Sequence, residues 1–384
     1  MEQKKQIIDR FKNARSDAVQ ELNRLKKEGA KIAGYYCTYT PTEIILAAGA
    51  VPLRLCNSSE QYVQEGEVHL PRNLCAIVKS SFGEAVSGKS PYFEAADLVV
   101  GETTCDGKKK MYEYLRELKP THIMQLPQKN TGHEESLLWI NEMRRLKSSL
   151  EQEFEVDITV AKLKDAIKQK NSQRLAVKEF YENWRAHPGV LMSSEAYSIL
   201  GNFDYRLDRE KALEDLYAMI RHIKSGPPDA DVKEYDNSPR ILLTGCLLGE
   251  KMAGIINIIE KAGGNIVCVE TCDWLKGSDG LVNEDMEPFS AIAEKYLQIP
   301  CPVMSPNHNR MELAARLIDD YQVDGVIDFV LRACLTYSVE TVPLRRLVKD
   351  KKHTGYMSLE TNLAHSESGQ LNTRVSAFIE MLSI

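Results

Sequence analysis

DLVVGETTCDGKKKMYEYL, from Asp97 to Leu115, is the stretch of sequence that best indicates the fold. The apolar run from Leu98 to Gly101 predicts a buried strand, and helical periodicity begins near Lys108. The loop between strand and helix carries a single cysteine, Cys105. A strand that leads through a short loop into a helix is the unit from which α/β proteins are built.

The same alternation of short apolar runs and helical patterns recurs in two regions of the chain. The first region contains the predicted strands KIAGYYC, AVPLRLC, DLVVGE and THIMQLP, and the second contains RILLTGC, NIVCVET and DGVIDFVLRAC. The residues between them, from Glu134 to Lys224, have a helical pattern with many charges. We therefore expect two doubly wound, flavodoxin-like parallel-sheet domains of the α/β class that face a central cleft. They would occupy residues 1–130, including an N-terminal helix, and residues 237–384, joined by a helical segment in residues 131–236.

Composition limits the classes of function. The 384-residue chain has 43% hydrophobic and 27% charged residues, which is typical of a globular protein with two or three domains. Its net charge of −6, with both signs evenly mixed, argues against a nucleic-acid partner. No apolar run approaches the ~18 residues of a membrane span, and the charged N-terminus lacks the apolar core of a signal peptide. We expect a cytoplasmic protein without a membrane partner.

The nine cysteines are the most informative residues of the chain. Disulfides are not expected in a reducing cytosol, and no Cys-x-x-Cys pair indicates a zinc site. A single cysteine is most often a small buried hydrophobe, and we interpret Cys56 and Cys268 in this way. Six others form three matched pairs across the two regions: Cys37 with Cys246, Cys75 with Cys301, and Cys105 with Cys334. The pairs indicate a weak internal repeat.

The positions of these six cysteines suggest a shared site. Ligands of open α/β sheets bind at the carboxyl ends of the strands, so thiols at such ends of two facing domains could converge on one cleft. Nearby helix N-termini favour the thiolate over the thiol. Several thiolates without histidine or carboxylate partners are typical of soft metals, above all of iron–sulfur clusters.

The chain resembles the 2-hydroxyacyl-CoA dehydratase / benzoyl-CoA reductase family, of the D-component type, over most of its length. The segments that carry the resemblance are TPTEIILAAGAVPLRLC, LPRNLCAIVKSSFGEAVSG, DLVVGETTCDGKKKMYEYL and GQLNTRVSAFIEML. In family members, three cysteines of each subunit hold one [4Fe–4S] cluster. The resemblance places these ligands at Cys75, Cys105 and Cys334.

The further thiols at Cys37, Cys246 and Cys301 depart from the dehydratase pattern. They resemble the double-cubane branch of the family, in which six cysteines hold two cubanes bridged by a sulfide, an [8Fe–9S] centre. The resemblance thus implies a second cubane, and the internal repeat assigns it to these three cysteines. Cys272, which follows a predicted strand, is the alternative to Cys246.

The resemblance also implies a function. The chain would be an oxidoreductase, the catalytic component of an ATP-dependent reductase that reduces small molecules at low potential and under anaerobic conditions. Electrons would come from a separate ATP-hydrolysing activator protein with its own [4Fe–4S] cluster. A chain that carries both cubanes is expected to form a homodimer. The alternative is a lyase, a subunit of a 2-hydroxyacyl-CoA dehydratase with one [4Fe–4S] cluster, and a third hypothesis is a non-catalytic iron–sulfur electron carrier.

Several residues near the cysteines are candidates for catalytic proton transfer. His308 follows Cys301 in a polar segment, and its imidazole would titrate near neutrality, although an exposed loop histidine is the simpler interpretation. Tyr337 and Glu340 follow Cys334, and Tyr36 and Glu43 flank Cys37. Each of these four residues could instead form a hydrogen bond with the backbone.

Two further patterns carry little weight. GEAVSGKS, at residues 83–90, matches the phosphate-loop pattern G-x-x-x-x-G-K-[ST], but a true phosphate loop follows a strand, and the residues before it have helical periodicity. We therefore expect no nucleotide site there. The run from Lys108 to Lys110 is expected to be a solvated helix start, although it could also contact an acidic partner.

Overall fold

The computed structural model describes residues 2–56, 58–187, 189–226, 237–247, 249–272, 275–363 and 368–383. Within these residues the chain forms two four-stranded parallel sheets with many helices. The predicted α/β class with two flavodoxin-like sheets is therefore confirmed. Across the described ranges, every helix is too short or too polar to traverse a lipid bilayer.

The first sheet has the strand order β2-β1-β3-β4. Its strands are β1 (Ile32–Tyr35), β2 (Val51–Arg54), β3 (Leu98–Glu102) and β4 (Thr121–Met124). The two central strands, β1 and β3, are buried along their whole length, as expected for parallel strands covered on both faces. The accompanying helices are α1 (Glu2–Lys12), α2 (Ala14–Lys27), α3 (Thr42–Ala47), α4 (Gln61–Glu67), α5 (Ala76–Val86), α6 (Pro91–Ala95) and α7 (Asp106–Leu115).

The predicted helical segment is present between the two sheets. It consists of α8 (His133–Phe154), α9 (Val160–Ala186), α10 (Ser193–Leu200) and α11 (Arg209–Ser225), with a 3-10 turn at Phe203–Tyr205. Leu163 and Ile167 of α9 pack in the core of the first sheet, whereas Phe180 and Trp184 pack in the core of the second. The middle of α9 therefore lies between the two sheets.

The second sheet repeats the topology of the first, with the strand order β6-β5-β7-β8. Its strands are β5 (Arg240–Gly245), β6 (Asn265–Glu270), β7 (Gly325–Leu331) and β8 (Gly355–Thr361). Its helices are α12 (Glu250–Lys261), α13 (Leu275–Ser278), α14 (Pro288–Leu297), α15 (His308–Asp320), α16 (Leu335–Arg346) and α17 (Ser368–Leu382), and a π-helical turn at Leu347–Lys351 follows α16. Two of the three matched pairs lie at equivalent strand ends, since Cys37 and Cys105 follow β1 and β3, and Cys246 and Cys334 follow β5 and β7.

The two cores exchange segments. Ile7 and Phe11 of α1 pack in the core of the second sheet, and Phe289 and Ile292 of α14 pack in the core of the first. Burial of each such side chain contributes about 1.5–3 kcal/mol, so both crossings tie the sheets together. The domain boundaries at residues 130 and 236 stay a prediction, since this packing runs across them.

Candidate functional site

A cavity of about 220 Å³ lies where loops from the carboxyl ends of both sheets meet. Eight of the nine cysteines line it: Cys37, Cys56, Cys75, Cys105, Cys246, Cys272, Cys301 and Cys334. The ninth, Cys268, is fully buried within β6. All six predicted ligands and the alternative Cys272 therefore share one cavity, as does Cys56, although the sequence around Cys56 indicates only a core residue.

Strand ends and helix starts position the thiols. Cys75, Cys105 and Cys334 each stand immediately before a helix, at the N-caps of α5, α7 and α16. The helix dipole favours negative charge at these positions. Cys246 directly follows Gly245, whose φ of 122° is a conformation that favours glycine. A Cβ atom on Gly245 would also meet the Phe329 carbonyl, so this turn requires glycine.

One group of thiols surrounds Cys334. Hydrogen bonds from Cys246 and Cys75 lower the pKa of the Cys334 thiol well below its ordinary value. The pKa of Cys75 is raised, mainly by its hydrogen bond with Cys334. The pKa of Cys246 is also raised, mainly by burial. The Leu331 amide also donates to the Cys246 Sγ at 3.4 Å. The structure therefore places Cys246 beside Cys75 and Cys334.

A second group contains Cys37, Cys272 and Cys301. Thr38 Oγ1 donates to the Cys272 carbonyl at 3.4 Å, and Tyr39 OH donates to the Ile299 carbonyl at 3.0 Å, so the loop after β1 contacts both segments of the second half. Burial raises the pKa of Cys301 to about 12, and the charge of Cys272 acts in the same direction. Cys272, rather than Cys246, is therefore the neighbour of Cys37 and Cys301.

Lys108 lies at this site, which the sequence pattern did not indicate. Its Nζ donates to the Tyr36 carbonyl at 3.1 Å, and its side chain lines the cavity. Lys109 and Lys110 instead form exposed ion pairs within α7. The expectation of a solvated helix start is therefore wrong for Lys108, because the first turn of α7 faces the cavity on one side.

Three of the five candidate proton donors, the ones that follow Cys301 and Cys334, lie in different surroundings. Tyr337 lines the cavity, and its hydroxyl lies 2.6 Å from Nζ of the buried Lys276. Glu340 accepts hydrogen bonds from Arg310 at 3.2 Å and from Asn307 at 3.0 Å. His308 is exposed at the first position of α15, not in a loop. Of the three, only Tyr337 is among the described residues of the cavity wall, and the catalytic roles stay predictions.

One face of α9 forms another part of the wall. Lys170, Gln173, Arg174 and Val177 recur at helical spacing and line the cavity together. Sequence reasoning missed them because polar residues within a charged helix normally indicate a solvated surface. The signal that could have identified them is their shared face, near the middle of a helix too long to be a simple linker.

The phosphate-loop match has the geometry of a helix end. Residues 83–86 belong to α5, and Ser90 caps α6 by accepting a hydrogen bond from the Phe93 amide at 3.2 Å. The Lys89 side chain is exposed and lies 3.5 Å from Glu65. The segment therefore follows a helix and not a strand, in agreement with the helical periodicity of the sequence before it.

The donor set at the cavity suits a cluster of several irons. Among the described residues, no three His, Cys, Asp or Glu side chains stand close enough together to hold a metal ion. The donors that line the cavity are instead thiols, which are the ligands of iron–sulfur clusters.

A comparison with protein families identifies the class of protein. The family described as 2-hydroxyglutaryl-CoA dehydratase, D-component, matches residues 37–382. The chain belongs to this family. The resemblance seen in the sequence is thereby confirmed, and this is a family of enzymes known for binding iron–sulfur clusters.

Two individual relatives match nearly the whole chain, and a third matches part of it. A protein of Escherichia coli (strain K12), provisionally named as the dehydratase subunit YjiM, is 41% identical over 376 residues, 98% of each chain. The (R)-phenyllactyl-CoA dehydratase beta subunit of Clostridium sporogenes is 21% identical over 97% of this chain and 99% of its own. A benzoyl-CoA reductase subunit of Thauera aromatica is 22% identical over 62% of this chain and 60% of its own.

Proposed function

We propose that the protein is the catalytic component of an ATP-dependent reductase that carries a double-cubane [8Fe–9S] cluster and acts on a small-molecule substrate. The observation that supports this proposal is the lining of one cavity by eight thiols. A single [4Fe–4S] cluster takes four cysteines at most, so one cubane would leave several thiols without a role. When bound, the cluster would supply low-potential electrons.

The ligands that we propose for one cubane are Cys75, Cys105 and Cys334. Each precedes a helix, and the helix dipole favours negative charge at this position. For the other cubane we propose Cys37 and Cys301 together with Cys272. Cys272 is preferred to Cys246 because it interacts with both, whereas Cys246 forms a hydrogen bond with Cys334.

Two residues of the cavity wall would assist the proposed reaction, one near the thiols and one near the substrate. Lys108 places a positive charge beside Cys37, where it opposes the rise in the pKa of this thiol that burial causes. Tyr337 would hold a hydroxyl proton at the cavity wall, oriented by Lys276, which itself forms an ion pair with Glu270 at 2.8 Å. The tyrosine could therefore position or protonate a substrate.

The second candidate function is that of a 2-hydroxyacyl-CoA dehydratase subunit with one [4Fe–4S] cluster. It is favoured by the relatives of known activity that match the full chain, among them the phenyllactyl-CoA dehydratase subunit. In that case Cys75, Cys105 and Cys334 would hold the cluster, and the remaining cavity thiols would be core residues. The enzyme would then be a lyase.

Iron and acid-labile sulfide per chain, measured on anaerobically purified protein, distinguish the two candidates. About eight irons support the double cubane, and about four support the dehydratase. Cys268→Ala is the matched control, because this thiol lies within β6 and away from the cavity. Protein without iron after anaerobic reconstitution would contradict both functions.

The proposed reductase requires a separate ATP-hydrolysing activator protein with a [4Fe–4S] cluster as its electron donor. We further propose a cytoplasmic homodimer, because a chain with both cubanes needs no unlike partner. Exposed apolar side chains on the helical segment, including Leu137, Leu138 and Leu175, offer a contact surface. Sedimentation of the iron-loaded protein would test the dimer, and a monomer at all concentrations would contradict it.

A further inference from the structure

We propose that Lys170, on the cavity face of α9, binds an anionic group of the substrate, and that this group is a carboxylate of a small acid. The inference rests on the proposed function in one respect, since the same cavity would hold the cluster. The proposed anion site is separate from the cluster ligands, because Lys170 belongs to a different part of the cavity wall.

The cavity wall carries an excess of positive charge. Four cationic side chains line it, Arg54, Lys108, Lys170 and Arg174, but only one anionic side chain, Asp204, is among the described residues of the wall. Asp204 also lies 3.6 Å from Arg209, so its charge is shared. The thiolates and the cluster that they would hold offset part of this charge near Lys108, whereas Lys170 lies on the α9 side of the wall, where an anionic ligand is favoured.

Arg174 already has a counter-ion. Its Nη2 lies 2.6 Å from the buried Glu43 Oε1 and 3.3 Å from Tyr296 OH, and its Nη1 donates to Asn171 at 3.2 Å. These contacts fix the guanidinium in one position. Lys170 lies one turn earlier on the same helix face. Its neighbour Arg174 is therefore already neutralised by Glu43.

Lys170 has no such partner. Its Nζ donates to the neutral Gln173 Oε1 at 3.0 Å, and within the part of the chain that the structure describes no carboxylate lies at ion-pair distance from it. Burial lowers the pKa of Lys170 to about 8. Among the charged groups around it, Asp204 and Glu43 favour the protonated ammonium, whereas Arg174 and Arg209 oppose it. An anion bound in the cavity would supply the missing counter-charge.

The size of the cavity indicates the class of ligand. Its volume of about 220 Å³ is below the range of about 300–1,000 Å³ that is typical for sites of drug-sized molecules. Because the cluster would occupy the part of this volume beside the thiols, only a small ligand such as a short-chain carboxylic acid fits in the rest, with its carboxylate on Lys170.

Calorimetric titration of the anaerobic, iron-loaded protein with butyrate tests the proposal. Butyramide is the matched neutral ligand and should bind at least about tenfold more weakly, since a charge-assisted hydrogen bond is lost. Lys170→Met should weaken butyrate binding to a similar extent, whereas Lys168→Met, an exposed position two residues away, should leave it unchanged. Equal binding of butyrate and butyramide, or an unchanged Lys170→Met variant, would overturn the proposal.

The pH dependence gives a readout that a structural role would not change. Butyrate affinity should fall as the pH rises through about 8, where Lys170 loses its proton. Lys170→Arg should keep the affinity and abolish this fall, because guanidinium stays protonated. A wild-type affinity that is constant up to pH 9.5, about 1.5 units above that pKa, would contradict the assignment.

Two further titrations separate the sources of the anion. Desulfo-coenzyme A and inorganic phosphate are titrated in competition with butyrate. If either competes, and binds more weakly to Lys170→Met, the anion site stands but its natural ligand is a phosphate group. Iron analysis of the same samples separates this inference from the proposed function. Eight irons without butyrate binding would overturn only the anion site, and butyrate binding without iron would overturn only the cluster.

Discussion

Oε1 of Glu43 in α3 lies 2.6 Å from Nη2 of Arg174 in α9, and both side chains are almost completely buried. The pair joins a helix of the first sheet to the helix that spans both cores. Burial alone would raise the pKa of Glu43, but Arg174, Lys170 and the Tyr296 hydroxyl together hold this pKa below its ordinary value. Glu43 is therefore an ionised carboxylate that orients Arg174 at the cavity.

Removal of Arg174 should destabilise the protein strongly. Arg174→Ala leaves the Glu43 carboxylate buried without its counter-ion, which typically costs about 3–5 kcal/mol of unfolding free energy. Lys178→Ala is the matched control on the same helix, because its pair with Glu182 is exposed and 4.0 Å apart, and such pairs contribute at most about 1 kcal/mol. Urea unfolding at equal iron content measures both, and similar midpoints for the two variants would contradict the expected difference.

Loss of a cubane ligand should lower the iron content. Cys75→Ala, Cys105→Ala and Cys334→Ala should each deplete or convert a cluster, because one iron loses its thiolate. Iron analysis and electron paramagnetic resonance measure the change, and Cys268→Ala should keep the full complement. Full iron and an unchanged spectrum in all three variants would exclude this set of ligands.

The second cubane can be tested by the choice between two thiols. Because Cys272 interacts with Cys37 and Cys301, Cys272→Ser should lose iron to the same extent as Cys37→Ser and Cys301→Ser. Cys246→Ser should retain more iron, although it removes a hydrogen bond to Cys334. The reverse order of iron contents would restore Cys246 as the ligand. If none of the four variants loses iron, the protein holds one cubane and the dehydratase function is favoured.

The strands and the helical segment could be predicted because their patterns are local. The run Leu98–Gly101 is apolar because β3 is covered on both faces, and its burial follows directly. The exchange of segments between the cores could not be predicted. Nothing near Phe289 indicates that α14 packs against Trp139 of α8, since this contact joins residues far apart in sequence.

The sequence predicts only those site residues that lie at a fixed place in the α/β pattern, between the end of a strand and the start of a helix. Cys105 and Cys334 both end the loop between a strand and a helix, so their convergence on one cavity could be expected from sheet topology. The grouping of Cys272 with Cys301 depends on how the two halves face each other. Lys108 and Lys170 are cationic on charged helices, and only the three-dimensional structure shows that they face inward.

The phosphate-loop match should have no role in nucleotide binding. Lys89→Ala removes an exposed side chain whose ion pair with Glu65 is 3.5 Å long, so the stability should change by less than about 1 kcal/mol. The iron content should also stay unchanged, and titration of the isolated protein with MgATP should show no tight binding. Stoichiometric ATP binding that disappears in Lys89→Ala would contradict the structural interpretation of this segment.

Glu102, at the end of β3, should make the stability of the protein dependent on pH. Burial raises the pKa of its carboxyl from an ordinary value of 4.5 to about 8, although the Thr40 hydroxyl donates to Oε1 and Lys108 lies nearby. Its Oε2 has no hydrogen-bond partner within the described ranges. The folded protein therefore holds a proton here that the unfolded chain releases above pH 4.5.

The sign of this effect can be tested with Glu102→Gln. Because the folded-state pKa is the higher one, the contribution of the protonated carboxyl to stability is complete below pH 4.5 and is lost as the pH rises to about 8. Glutamine resembles the protonated carboxyl at every pH, so the variant should gain stability relative to the wild type by about 1.4 kcal/mol per pH unit in this window. Above pH 8 the difference should become constant. Urea unfolding from about pH 6 to about pH 9 measures it, with Glu113→Gln on the surface of α7 as the control. A difference that does not depend on pH would show that Glu102 is ionised in the folded protein.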